Sequence, residues 1–139
     1  MALIGRLHPL LIHFPIALVM VALGAETGFI VTGHHGWRIT SVFNIRIASL
    51  FTVAATVAGW WLALGPEVEA TQLLAWHRWI GITGACLTVA AAALTSDAAI
   101  RSPARLKVYR VALSGAAALV AFAGHLGGVM VWGADFLRL

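Results

Sequence analysis

Four long apolar runs, separated by short polar breaks, use up nearly the whole of this 139-residue chain. A helix that crosses a bilayer needs about 20 apolar residues. Pro9 to Thr32 satisfies this with one charge, Glu26, and Ile39 to Leu64 with one, Arg46. Leu73 to Thr95 is charged only near its start, at Arg78, and Val111 to Ala134 not at all. Hydrophobic residues make up 61% of the chain and charged ones 10%, far from the balance of a soluble domain. The pattern predicts an all-α, antiparallel bundle of four transmembrane helices, about 9–32, 39–64, 73–95 and 106–134, in one membrane domain, 1–139.

The breaks support that order. Gly33-His34-His35-Gly36 reads as a turn, followed by Trp37 and Arg38 at the interface. Gly65-Pro66-Glu67-Val68-Glu69 is an acidic loop, and Ser96 to Arg105 is a polar connection containing Pro103. Short loops make consecutive helices antiparallel neighbours. The N-terminal run is too long for a cleaved signal peptide, so the first helix is expected to be retained. No convincing internal repeat is expected. Gly24-x-x-x-Gly28 and Gly124-x-x-x-Gly128 are helix-packing motifs.

The net charge of +4 does not point to nucleic acid, because the basic residues are scattered at helix ends. There they set orientation instead. Arg38, Arg46, Arg101, Arg105, Lys107 and Arg110 belong to the first and third loops, whereas Arg6, Arg78 and Arg138 lie on the opposite side. The expectation is a multi-pass protein of a bacterial inner membrane with both termini in the periplasm. Cys86 is the single cysteine, which excludes an intrachain disulfide, a thiolate zinc site and covalent haem attachment. Glu26 and Arg46 flank the first loop and are expected to form an ion pair, since intramembrane charges tend to pair.

Four histidines carry the functional signal. His8, His13, His77 and His125 all fall toward the same, periplasmic face. Imidazole is costly in hydrocarbon unless bonded, metallated or wet. Counting residues at 1.5 Å rise gives His13 and His77 similar depths on the first and third helices, with His125 modestly deeper. His8 sits at the rim and is expected not to ligate. Two neutral imidazoles from facing helices suit a haem b held without covalent attachment. Gly81 and Gly128 give room beside His77 and His125, and Arg78 and Arg6 are cations at the level where propionates would lie. The metal-ligand candidates are thus His13, His77 and His125, with His13 and His77 the best matched pair. The plain alternative is that these histidines are merely hydrogen-bonded, the glycines pack helices, and Trp76, Trp79 and Trp132 form an interfacial belt.

The stretch Arg6-Leu7-His8-Pro9-Leu10-Leu11-Ile12-His13-Phe14-Pro15-Ile16-Ala17-Leu18, then His77-Arg78-Trp79-Ile80-Gly81, then Gly124-His125-Leu126-Gly127-Gly128, resembles one family. It is a bacterial family of small predicted membrane proteins, classed as a domain of unknown function. The resemblance covers the whole chain. Association of such members with c-type cytochrome domains implies a redox setting, and residue matching marks His8, His13, His77 and His125.

The sequence reading is a haem b-binding membrane subunit that passes electrons between a periplasmic redox partner, such as a c-type cytochrome, and the quinone pool. Membrane lipid and other membrane subunits are its expected partners. The alternatives are a cofactor-free anchoring subunit and a copper or zinc site. No nucleophile–base pair or phosphate loop marks a stand-alone enzyme.

Overall fold

The computed structural model describes residues 5–66, 68–96 and 102–135. Glu67, Arg101 and Arg138, which enter the acidic loop and the charge count above, lie outside them. The described elements are five helices: α1 (His8–Leu11), α2 (His13–Thr32), α3 (His35–Ala63), α4 (Gln72–Ala93) and α5 (Pro103–Trp132). α1 and α2 are one helix interrupted at Ile12. Pro15 explains the interruption, since it has no N–H to donate to Leu11.

Local chemistry sets the ends. Gly33 closes α2 in the left-handed conformation at φ 68°, which a side chain would oppose. The His34 ring accepts from the Gly36 N–H at 3.2 Å and so caps α3. That cap starts α3 four residues before the expected Ile39, and Trp37 and Arg38 are helical. Thr71 caps α4 through the Leu74 N–H at 3.1 Å. Pro103 occupies the first turn of α5, where its missing N–H is no loss.

Each long helix packs on two neighbours, in the ring α2, α3, α4, α5 and back to α2. The packing within α2–α3 and within α4–α5 is the most extensive, so the bundle is two hairpins side by side. α1 lies along α3, and a Cβ on Gly5 would come within 2.9 Å of the Leu62 backbone there.

The core is made of small residues. Ala22, Ala48, Ala91 and Ala116 are fully buried beside Val19, Ile45, Leu113 and Tyr109. Large apolar side chains such as Val31, Leu50, Val111 and Trp132 face outward. This inversion belongs to a bilayer, where helices gain by close backbone approach and lipid solvates the large side chains. Three helical segments, His8–Thr32, His35–Ala63 and Pro103–Trp132, are long and apolar enough to cross a membrane. α4, at 22 residues, has the length and completes the expected four-helix bundle, although its composition is less apolar than that of the other three. Its first turns carry His77 and Arg78, and it is held in the bundle between α3 and α5.

The buried positions repeat although the residue identities do not. Pro15, Val19, Ala22 and Glu26 are buried on α2, and 69 positions later Gly84, Thr88, Ala91 and Thr95 are buried on and just after α4. Ser41, Ile45, Ala48, Thr52 and Ala55 are buried on α3, and 68 positions later so are Tyr109, Leu113, Ala116, Val120 and Ala123 on α5.

Candidate functional site at the start of both hairpins

His8 and His77 meet. Their ring centres are 6.2 Å apart and their planes are nearly perpendicular, at 88°. Each ring is anchored on the far helix of its own hairpin. His8 Nδ1 bonds the Ala55 carbonyl of α3 at 2.8 Å, and His77 Nδ1 bonds the Ala123 carbonyl of α5 at 2.9 Å. A carbonyl only accepts, so Nδ1 carries the proton in both rings. In a neutral imidazole so anchored, Nε2 is the nitrogen left without a proton. An N–H anchored on a backbone carbonyl is the usual support of a metal-bound histidine.

A glycine sits beside each anchor. Gly59 is one turn beyond Ala55, and a Cβ there would lie 2.7 Å from His8 Cε1 and 2.8 Å from Nδ1. Gly127 is one turn beyond Ala123, and a Cβ there would lie 3.4 Å from His77 Cε1. Both rings thus lie on an Ala-x-x-x-Gly face that leaves a carbonyl within reach. Next to His77, the Arg78 guanidinium lies 4.2 Å above the Trp60 ring, which ties α4 to α3.

The other residues expected at the site are placed differently. His13 is exposed on the first turn of α2. It follows His8 by five residues, about 140° around a helix, so when His8 faces α3 His13 turns outward. His125 is exposed on α5, its ring 6.4 Å from that of Phe122. Among the described residues, no three His, Cys, Asp or Glu side chains gather as a metal-binding group. His13, His77 and His125, the metal-ligand candidates, thus do not gather as such a group. The structure brings His8, not His13, to His77. Gly81 has open space where a Cβ would be, Arg6 is exposed before α1, and Gly128 lies on α5. The anchors Ala55 and Ala123 escaped sequence reasoning, although the paired Ala-x-x-x-Gly motifs were there to be read.

The opposite end of the bundle holds the buried charges. Glu26 is paired with Arg38 of α3 and, at 2.8 Å, with Arg110 of α5. The expected Glu26–Arg46 pair is not formed. Counting back from the Gly33 turn, Arg46 lies about a turn deeper than Glu26, whereas Arg38 lies within a turn of its level. Arg46 instead donates to the Thr95 hydroxyl at 2.8 Å and its carbonyl at 3.0 Å. Arg38 packs over the rings of Tyr109, at 4.6 Å, and Phe29, at 5.9 Å.

Residues 6–136 match a family described as predicted membrane protein, DUF2231. No curated protein and no solved structure matches the chain.

Proposed function

The chain belongs to this family of predicted membrane proteins, and from its paired imidazoles we propose that it is a haem b-binding subunit of a membrane electron-transfer complex. The observation that carries the reading is the His8–His77 pair, each ring held by Nδ1 on a backbone carbonyl and 6.2 Å from the other. Two imidazoles on one metal ion have ring centres about 6 Å apart, from metal–nitrogen bonds of about 2 Å and roughly 1 Å more to each centre. The 6.2 Å separation of the two ring centres supports the reading.

The donor set also favours haem over zinc. A structural zinc ion takes four protein ligands and a catalytic one three. Haem iron takes most of its ligands from the macrocycle and asks the protein for only one or two. Two histidines, with no third His, Cys, Asp or Glu grouped with them among the described residues, suit the second case. Bound there, haem b supplies one-electron exchange. His8 and His77 would hold it through Nε2. Their Nδ1 anchors keep the rings from turning and raise the basicity of the ligating nitrogens. Arg78 and Arg6 are the cations near that end for propionates.

The positive-inside rule puts this end on the periplasmic side of a bacterial inner membrane. The partners proposed are a periplasmic c-type cytochrome on that side and membrane quinone as the exchanging pool. An optical spectrum of the purified protein tests the reading. Reducible Soret and α bands at one haem per chain are expected. Bound copper or zinc without such bands, or no cofactor at all, overturns it.

A further inference from the structure

The two hairpins share nine buried positions at a nearly constant offset, and two corresponding pairs touch each other. Ser41 corresponds to Tyr109, 68 positions on, and their hydroxyls are 2.7 Å apart. His8 corresponds to His77, 69 positions on, and their rings adjoin. Corresponding residues of two related halves can meet only on the axis that relates the halves. These contacts therefore mark a pseudo-twofold axis along the bundle, with Ser41 and Tyr109 near one end and the imidazoles at the other. The anchors obey the same relation. His8 reaches a carbonyl 47 residues ahead, and His77 one 46 ahead.

From this we infer that Gly59 and Gly127 are equivalent positioning residues, one per hairpin, for a site on the axis that takes a single centre offering two like coordination positions. The inference rests on the haem reading for the identity of that centre, but not for the role of the glycines. Each glycine acts through the histidine that lies against it. A methyl at 59 occupies the place of the His8 ring, so the ring must leave the Ala55 carbonyl or α1 must move off α3. At 127 a methyl meets His77 at ordinary contact distance, so a larger side chain is needed for the same effect. Gly24 has nothing within 4 Å of an added Cβ and serves as a control.

The test uses the full chain with and without haem b. Gly59→Ala and Gly127→Leu are each expected to weaken haem binding roughly tenfold or more. Each should convert a low-spin, two-imidazole spectrum to a high-spin one, and free imidazole should restore it. Gly24→Ala should leave the spectrum unchanged. In the His8→Ala background, Gly59→Ala should have no further effect, because the ring it displaces is gone. Without haem, nitrogen-15 spectra of labelled histidine should lose the His8 Nδ1–H signal in Gly59→Ala and the His77 signal in Gly127→Leu, each sparing the other. Wild-type protein that takes up no haem defeats the haem reading alone, and the nitrogen spectra still decide the positioning role. Histidine signals unmoved by either substitution, or a Gly59→Ala effect that persists without His8, overturn the inference.

Discussion

Ser41 on α3 and Tyr109 on α5 join the two hairpins through a 2.7 Å hydrogen bond across the diagonal of the bundle. The Ser41 hydroxyl already donates to the Ala22 carbonyl at 2.9 Å, so Tyr109 must be the donor to Ser41. The two truncations are therefore unequal. Tyr109→Phe removes one donor and leaves Ser41 bonded, at about 1 kcal/mol or less. Ser41→Ala strands a fully buried phenol and should cost about 1–3 kcal/mol. Thermal denaturation in detergent should rank Ser41→Ala as the less stable variant and show the double variant recovering part of the loss. The reverse ranking would show that the phenol has another acceptor.

Glu26 is 2% exposed and pairs with two guanidinium groups. Removing it leaves Arg38, itself buried, facing Arg110 with no counter-charge. Glu26→Gln should therefore destabilise by about 3–5 kcal/mol, the range for breaking a buried pair on one side. Arg110→Gln should cost less, because Arg110 is partly exposed and Arg38 still pairs with the carboxylate. Arg46→Gln is expected to be independent of Glu26, and a double-mutant cycle measures this. A large coupling between Glu26 and Arg46 would restore the pairing that the sequence alone suggests.

The helices, their order and their short connections were legible because apolar length and breakers are local signals. The His8–His77 pair was not, for a physical reason. Depth counted along a helix ranks His13 beside His77, but ligation is decided by facing, and the interruption at Ile12 with α1 lying on α3 turns His8 inward. The Glu26 partners were missed on the same ground, since Arg110 reaches it from the far end of the chain. The repeat was hidden because corresponding positions share burial rather than chemistry. Val19 answers to Thr88, Glu26 to Thr95 and Ser41 to Tyr109, so only the pattern of what is covered reveals it.

Orientation follows from charge. The Gly33–Gly36 turn and the α4–α5 connection share the more basic end, so both should face the cytoplasm. A reporter active only in the cytoplasm should be silent when fused after Leu139 and active when inserted at Gly33. Activity at the C-terminal fusion would invert the protein and move the histidine pair to the inner face.

The pairing of His8 with His77 gives the most direct prediction about ligands. Both rings carry the proton on Nδ1 and offer Nε2, and both are fixed by a carbonyl on a neighbouring helix. His13 and His125 are exposed and are not grouped with them. His8→Ala and His77→Ala should each lower haem content at least roughly tenfold, as loss of ligand support does. The double variant should lose the haem that the single variants still hold, since no imidazole of the pair is left to bind it. His13→Ala and His125→Ala should retain normal haem and an unchanged spectrum. Free imidazole should partly restore the low-spin spectrum to each ligand variant by filling the space left by the ring. Normal haem in His8→Ala, together with its loss in His13→Ala, would return the site to the pair matched by depth. Retention in all four single variants would mean that haem, if bound, is held elsewhere.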